Sequence, residues 1–154
     1  MLETENERRK MDFQDCIKFA TENPVFYVAT TDGSQPRVRA LLLWFADESG
    51  FYFITLAPKE FTKQLQNNPK VELCFYNNAA DLMDAKQMRV TGEVEFLDDE
   101  ETLEKAYEAR SFLEPGIGKP LRPLLRPVRI STGEAHFWTM ADVLKEPELE
   151  RLKF

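Results

Sequence analysis

Most apolar residues in this sequence follow the two-residue alternation that is typical of half-buried β-strands. The alternating segments are rich in β-branched and aromatic residues, and turn-forming Asp, Gly, Ser, Asn and Pro separate them. We therefore predict six strands, over residues 25–31, 37–45, 51–55, 71–76, 87–97 and 128–140. Gly92 indicates a bend or bulge in the fifth of them.

Helical spacing interrupts the alternation three times and predicts helices over residues 11–22, 58–67 and 98–111. Pro24 ends the first helix, because the residue before a proline avoids helical geometry. Pro58 suits the first turn of the second helix. Asp98 and Glu101 have the spacing of a capping box at the start of the third.

Two segments fit neither pattern. Residues 114–127 carry four prolines and two glycines, which predict a Pro-rich loop. Residues 141–154 form an acidic tail whose leucines predict a short helix. We find no repeat and no linker, so residues 1–154 are predicted to form one domain. Six strands with inserted helices predict a mainly β fold, a closed or partly closed antiparallel β-barrel with flanking helices, since closure removes exposed strand edges.

Composition narrows the function classes. The 154 residues carry 20 Lys and Arg against 27 Asp and Glu, a net charge of −7, which disfavours binding to nucleic acid or to anionic membranes. The single histidine, His136, excludes a multi-histidine metal centre within one chain, and two distant cysteines predict neither disulfides nor a zinc site. Without an apolar leader or a membrane-length segment, the expected location is cytoplasmic.

In an acidic chain, the places where positive charge gathers on one face are informative. Arg37 and Arg39 lie two apart on a predicted strand and share a face. Lys59 and Lys63 lie four apart on the second helix, just after Thr55. A hydroxyl, a helix amino terminus and nearby lysines suit a phosphate monoester. The alternative for the lysine pair is the solvated face of an amphipathic helix.

The segments that combine these features are residues 35–43 (QPRVRALLL), 51–55 (FYFIT), 59–69 (KEFTKQLQNNP) and 87–92 (QMRVTG). In this order and spacing they resemble the FMN-binding split-barrel proteins related to pyridoxamine 5'-phosphate oxidase. The likeness covers about residues 12–97. It implies a six-stranded antiparallel FMN-binding split barrel, FMN as the cofactor, and a homodimer with two flavins in its interface.

The resemblance also implies a set of cofactor-binding residues, namely Arg39, Ala40, Leu41, Leu42, Ile54, Thr55, Lys59, Lys63 and Gln87. Within this set, Arg39, Thr55 and the two lysines would hold the flavin phosphate. Backbone groups of residues 40–42 and the side chain of Gln87 would meet the isoalloxazine ring. No acid–base pair or triad is visible, so no catalytic residue is assigned. This fits an enzyme whose cofactor carries the chemistry.

The sequence departs from the oxidase itself. Trp44 stands where the oxidase pattern has a lysine, and the carboxy-terminal arginine-rich signature that grips pyridoxine phosphate is missing. The first half also has no histidine, which the related nitroimidazole reductases place there. We therefore predict an FMN-dependent oxidoreductase that acts on an unidentified small substrate with a nicotinamide donor. The alternative is a non-catalytic or redox-responsive protein that binds flavin, haem or a deazaflavin.

Two further features have two interpretations each. His136 lies among aromatic residues on the last predicted strand, where a structural role is favoured over proton donation. The Pro-rich loop, residues 114–127, carries Lys119, Arg122 and Arg126. It is either a lid that covers the flavin and admits an anionic substrate, or a surface loop stiffened by proline.

Overall fold

The alternating segments of the sequence form two antiparallel sheets. The structure is a computed structural model, and it describes residues 10–154. The helices are α1 (Phe13–Glu22), α2 (Glu60–Asn67), α3 (Glu100–Arg110) and the single turn α4 (Glu114–Ile117). The strands are β1 (Val25–Asp32), β2 (Gln35–Leu42), β3 (Phe45–Asp47), β4 (Gly50–Leu56), β5 (Lys70–Tyr76), β6 (Lys86–Glu93), β7 (Glu95–Phe96), β8 (Leu125–Ile130), β9 (Gly133–Thr139) and β10 (Leu152–Lys153).

The larger sheet has six strands in the order β10-β9-β6-β5-β1-β2, and the smaller sheet has four in the order β3-β4-β8-β7. The predicted mainly β split-barrel class is confirmed. Strand register aligns Phe26, Phe75 and Met88 in one row, and all three are fully buried. They face the smaller sheet, which contributes Phe51 and Phe53 to the same core. Residues of the larger sheet whose side chains point away from the smaller sheet form what we call the outer face of the larger sheet.

A second, smaller core lies on the other side of the four-stranded sheet. Its buried members are Ala106 on α3 and Leu121 and Leu125 from the Pro-rich segment. Ile54 and Leu56 of β4 pack against them, as do three other half-buried side chains. This cluster explains why the irregular segment is ordered, and it places that segment beside the end of β4.

Several predicted boundaries are wrong, because the chain changes sheet where the alternation continues. The strand predicted over 37–45 stops at Leu42, and the strand predicted over 87–97 stops before Val94; each resumes in the other sheet. The strand predicted over 128–140 is two strands joined at residues 131–132. These three divisions and β10 in the tail give residues 10–154 ten strands where the pattern predicts six. Gly92 and Gly133 face each other where β6 and β9 pair, and a Cβ on Gly133 would lie 2.0 Å from the carbonyl oxygen of Thr91.

Local chemistry corrects the helix predictions. Asp99, not Asp98, caps α3, since its carboxylate accepts a hydrogen bond from the backbone N–H of Thr102. Within the predicted Pro-rich loop, α4 forms with a proline in its first turn and ends at Gly118, whose φ is 72°. The tail contains two 3-10 turns and β10 instead of the predicted α-helix. None of the helices in residues 10–154 has the length and apolar character needed to cross a membrane.

Candidate functional site

The Arg39 guanidinium turns inward from the edge strand β2. It donates hydrogen bonds to the Thr30 hydroxyl at 2.7 Å and to the Gln64 side-chain oxygen at 2.6 Å. Both partners are buried, and Thr30 in turn donates to Gln64 at 2.6 Å. The guanidinium carbon also lies 4.5 Å from the centre of the Phe61 ring. These partners are neutral, so the network holds the guanidinium in place without neutralising its charge.

Lys59 approaches the same aromatic ring from the amino terminus of α2. Its ammonium nitrogen lies 5.7 Å from the ring centre of Phe61. Burial lowers the pKa of Lys59, and the charge of Arg39 lowers it further. Burial, followed by the charge of Arg37, lowers the pKa of Arg39. Within residues 10–154, neither Arg39 nor Lys59 forms an ion pair with a carboxylate, so the pair creates a local positive potential that suits an anion.

Thr55 lies beside Lys59 at the end of β4 and is only 1% exposed. The Thr62 hydroxyl donates to the carbonyl oxygen of Leu56 at 2.6 Å. Because a hydroxyl has one proton, Thr55 is the donor in the 2.9 Å contact between the two threonine hydroxyls. Thr55 therefore has to turn its proton away from Thr62 before it can donate to a ligand.

A cavity of about 160 Å³ opens next to Lys59. Its lining residues are Ile54, Thr55, Leu56, Lys59, Arg110, Leu113, Leu121 and Leu125. Arg110 is a functional candidate that the sequence analysis missed, because an arginine in the last turn of a helix is ordinarily explained by the helix dipole. Burial lowers the pKa of Arg110, and its side chain donates a hydrogen bond to the carbonyl oxygen of Ala109 at 3.2 Å.

Two predicted site residues lie away from this cluster. Lys63 is exposed on α2, and its ammonium group forms no ion pair with any residue in the range 10–154. Gln87 lies on the outer face of the larger sheet, whereas Arg39 points to its inner face. Their strands, β6 and β2, are three positions apart in the sheet, which separates them by roughly 14 Å at the usual distance between neighbouring strands. Gln87 accepts a 3.6 Å contact from the Cys74 thiol and borders a different cleft, of about 250 Å³, beside Trp138.

Residues 40–42 lie on β2, which is an edge strand of the larger sheet. Leu41 points inward opposite Phe26, while Ala40 and Leu42 are exposed on the outer face. An edge strand presents backbone N–H and C=O groups that no neighbouring strand pairs. The free edge beside Arg39 therefore offers the kind of backbone contact expected for these residues.

The outer face of the larger sheet carries an exposed apolar patch next to that edge. Val25, Tyr27, Val38 and Leu42 form it, and Val38 is 70% exposed. Strand register brings them together, because Val25 lies opposite Leu42 and Tyr27 opposite Ala40. Contiguous exposed apolar patches are typical of interaction surfaces.

His136 also belongs to the outer face, where it is 6% exposed in a network of charged side chains. Its Nε2 accepts a hydrogen bond from Nε of Arg89 at 3.3 Å, Arg151 contacts the other ring nitrogen, and a Glu146 oxygen lies 3.8 Å from Nε2. Burial, followed by the positive charges of Arg151 and Arg89, lowers the pKa of His136 to about 4. The ring is therefore neutral at pH 7, and it does not line the cavity beside Lys59.

The arginines of the Pro-rich segment do not reach the cavity. Arg122 pairs with Glu104 and, at 2.8 Å, with Glu100, while Arg126 donates to the carbonyl oxygens of Pro123 and Leu125. These contacts tie the segment to α3 and to itself. The segment borders the cavity through Leu121 and Leu125 instead, so the contacts of these arginines favour the interpretation as a surface loop, and the lid stays a prediction.

Comparison with known proteins identifies the family. Residues 14–139 match the family model described as pyridoxamine 5'-phosphate oxidase. The chain belongs to this family. Among curated proteins, no sequence relative is found.

Solved structures share the fold of this family member. A NimC/NimA family protein from Clostridium acetobutylicum is 28% identical, with 92% of each chain covered and a TM-score of 0.70. A FAD-binding protein from Mesorhizobium loti is 21% identical, with 82% of this chain and 93% of that chain covered and a TM-score of 0.61. HutZ, the heme storage protein of Vibrio cholerae, is 14% identical, with 82% of this chain and 92% of that chain covered and a TM-score of 0.61. The fold is therefore shared by proteins named for different cofactors.

Proposed function

We propose that the protein is a flavoprotein that binds FMN, with its phosphate held by Arg39, Lys59 and Thr55. The observation that carries this proposal is the pair of cations, Arg39 and Lys59, that share the Phe61 ring without a carboxylate partner in residues 10–154. Two converging positive charges without a counter-ion are costly unless an anion binds. A phosphate monoester supplies about −1.5 to −2 charges at neutral pH together with strong hydrogen-bond acceptors.

The flavin ring would lie along the free edge of β2. Backbone groups of residues 40–42 are next to Arg39 in the chain, and along the free edge of β2 they have no strand partner. They would bind the polar edge of the ring, while the exposed side chain of Leu42 would contact its apolar part. This arrangement orients the ring from the backbone and leaves the positive charges for the phosphate.

A second copy of the chain would complete the site. The cavity of about 160 Å³ is smaller than the roughly 300–1,000 Å³ of typical ligand sites, so one chain encloses only part of a flavin. The apolar patch of Val25, Tyr27, Val38 and Leu42 adjoins the same edge. A homodimer formed through the outer face would bury this patch. Gln87 lies on that face, so its predicted contact with the ring would be made in a site shared by two chains.

We further propose that the protein is an oxidoreductase with a nicotinamide donor and a small acceptor substrate. The bound flavin would supply the electron-transfer chemistry, and the chain would anchor its phosphate and orient its ring.

Titration of the purified apoprotein with FMN and with riboflavin tests the proposal. Flavin fluorescence and calorimetry should show one FMN per chain and weaker binding of riboflavin, which lacks the phosphate. Arg39→Gln should weaken FMN binding and leave riboflavin binding unchanged. Arg37→Gln is the matched control, because Arg37 is exposed and pairs with Asp32 at 3.4 Å. The absence of flavin binding, or equal affinity for the two flavins, would contradict the proposal.

Turnover is measured separately. Steady-state oxidation of NADH or NADPH by the FMN-loaded protein, with a panel of electron acceptors, should exceed the rate of free FMN. Tight FMN binding without turnover would instead support the non-catalytic carrier.

A further inference from the structure

We propose that Gln64 is a positioning residue of the phosphate site, whose neutral side-chain oxygen, together with Thr30, fixes the direction of the Arg39 guanidinium and leaves its positive charge to the ligand. The inference rests on the proposed function, because it takes Arg39 as a ligand of the flavin phosphate. It assigns roles to two residues that contact this guanidinium and that lie outside the predicted set of cofactor-binding residues.

Three hydrogen bonds close a triangle around the guanidinium. Arg39 donates from Nη1 to the Thr30 hydroxyl at 2.7 Å and from Nη2 to Oε1 of Gln64 at 2.6 Å. Thr30 donates to the same Oε1 at 2.6 Å, and both Thr30 and Gln64 are buried. Because Gln64 faces two donors, this position requires an acceptor. The triangle joins β1, β2 and α2, so the packing of these three elements sets the direction of the guanidinium.

The same helix also holds the flat face of the guanidinium. Phe61 and Gln64 lie three residues apart on α2, a spacing that places both on one side of the helix. The centre of the Phe61 ring lies 4.5 Å from Cζ of Arg39. An arginine has five N–H donors, and the hydrogen bonds within residues 10–154 use neither Nε nor the second N–H of Nη2. The guanidinium is therefore held firmly while donors remain for a ligand.

The neutrality of Gln64 carries the inference. Burial, followed by the charge of Arg37, lowers the pKa of Arg39, so the folded apoprotein disfavours the charged guanidinium. A glutamate of the same length would accept the same two hydrogen bonds and would pair with this charge, as Asp32 pairs with Arg37. An amide at this position forgoes that ion pair and keeps the positive charge for an anion. Attachment of α2 to β1 would not by itself require a neutral acceptor.

The competing explanation is that Gln64 is a buried polar residue that only anchors α2 to β1. That role predicts that Gln64→Glu, which adds an ion pair to the same hydrogen bonds, binds FMN as the wild type does. It also predicts that loss of the acceptor weakens the binding of every flavin equally, through damage to the fold. A positioning role predicts losses that depend on the phosphate of the ligand and on the presence of Arg39.

The test is a set of dissociation constants for FMN and riboflavin, measured by flavin fluorescence and calorimetry on the full-length apoprotein, with urea unfolding of each variant. Gln64→Glu should weaken FMN binding by about tenfold or more, the size of a lost charge-assisted hydrogen bond, because the new carboxylate pairs with Arg39. Riboflavin binding should stay unchanged, and the unfolding midpoint should stay the same or rise.

Gln66→Glu is the matched control for the added charge. It makes the same substitution on the same helix, and Gln66 is exposed. Solvent and salt screen a charge at such a position, so FMN binding should change by less than about threefold.

Gln64→Met provides a second test that introduces no charge. It removes the acceptor and keeps a helix-forming side chain of similar length, so FMN binding should weaken by about three- to tenfold and riboflavin binding should stay unchanged. In the Arg39→Gln background the same substitution should have no further effect on FMN binding, because Gln64 acts through Arg39.

Three results would overturn this inference. They are Gln64→Glu protein that binds FMN as tightly as the wild type, Gln64→Met protein that loses FMN and riboflavin equally, and a loss for Gln64→Met that is the same with and without Arg39. Each of them leaves the proposed function standing as long as Arg39→Gln weakens FMN binding and spares riboflavin. A wild-type protein that binds no flavin would overturn both.

Discussion

The sharpest prediction concerns Lys59, at the amino-terminal cap of α2, and Lys63 within that helix, which the sequence pairs and the structure separates. Lys59→Met removes the ammonium group beside Phe61, and Lys63→Met removes an exposed ammonium group one helical turn later. Methionine keeps the length of the side chain and suits a helix. The two variants therefore remove the same charge from the amino-terminal cap and from the body of one helix, at different distances from Arg39.

The expected loss for Lys59→Met follows from its contacts. A charge-assisted hydrogen bond to phosphate contributes about 1.5–3 kcal/mol, so FMN binding should weaken by about 10- to 150-fold. Lys63→Met should change it by less than about threefold, because an exposed charge at longer range is screened by salt. Riboflavin should bind both variants as it binds the wild-type protein, since it has no phosphate.

Stability should respond in the opposite direction. Burial and the charge of Arg39 lower the pKa of Lys59, so the folded apoprotein holds this proton less firmly than the unfolded chain does. The charged ammonium therefore disfavours folding of the apoprotein, and the disadvantage disappears as pH rises through the lowered pKa. Lys59→Met should leave the unfolding midpoint of the apoprotein unchanged or raise it. Removal of a residue that only binds the ligand leaves the unfolding midpoint of the apoprotein unchanged or raises it, whereas removal of a structural residue lowers it.

Titrations of both variants with FMN and riboflavin, together with urea unfolding of the apoproteins, provide the assay. Equal weakening of FMN binding by the two variants would show that affinity depends on the total positive charge near the helix and not on the position of Lys59. A parallel loss of riboflavin binding or of stability in Lys59→Met would show damage to the fold. Either result would refute the assignment of Lys59 to the phosphate.

Three other expectations concern association, pH and backbone packing. Val38→Glu places a charge in the apolar patch of the outer face, so sedimentation should show monomers of the variant and dimers of the wild type, with weakened FMN binding of the variant; an unchanged assembly state would argue against that interface. The pKa of His136 is lowered to about 4, so the unfolded state binds its proton first and the free energy of unfolding should fall by up to about 3 kcal/mol as pH drops from about 6.5 to about 4. His136→Asn should lack this component in urea titrations across that window, and identical pH profiles would count against the assigned cause. Gly50→Ala should lose several kcal/mol, because φ is 132° and its Cβ would lie 2.1 Å from the carbonyl oxygen of Ile130, whereas Gly33→Ala, with open space around it, should lose less on urea unfolding.

Local pattern was enough to predict the class of the fold and to single out Arg39, Thr55 and Lys59. Alternation depends on neighbouring residues, so it marked the strand segments, and Pro24 and Pro69 bound the first two helices on their carboxyl sides. The motif order also pointed to Arg39, Thr55 and Lys59 before any contact was visible. The structure brings these three together around Phe61 and the adjoining cavity.

Strand breaks and sheet membership depended on tertiary packing. The alternation runs through Leu42 and Val94 without a signal, because a chain that crosses from one sheet to another keeps its inward and outward rhythm. Only the pairing of β8 with β4 and of β9 with β6 shows that residues 125–139 serve both sheets.

The sequence by itself determined which side chains carry positive charge, and only the tertiary structure decided which of those charges remain without a counter-ion. Lys63 and Arg122 have the residue types expected of an anion site, yet one faces solvent and the other is paired with glutamates of α3. Arg110 looked like an ordinary helix end, and folding leaves it half-buried beside Lys59. Neutralisation of a charge depends on groups distant in the chain, and for that reason local sequence pattern cannot reveal it.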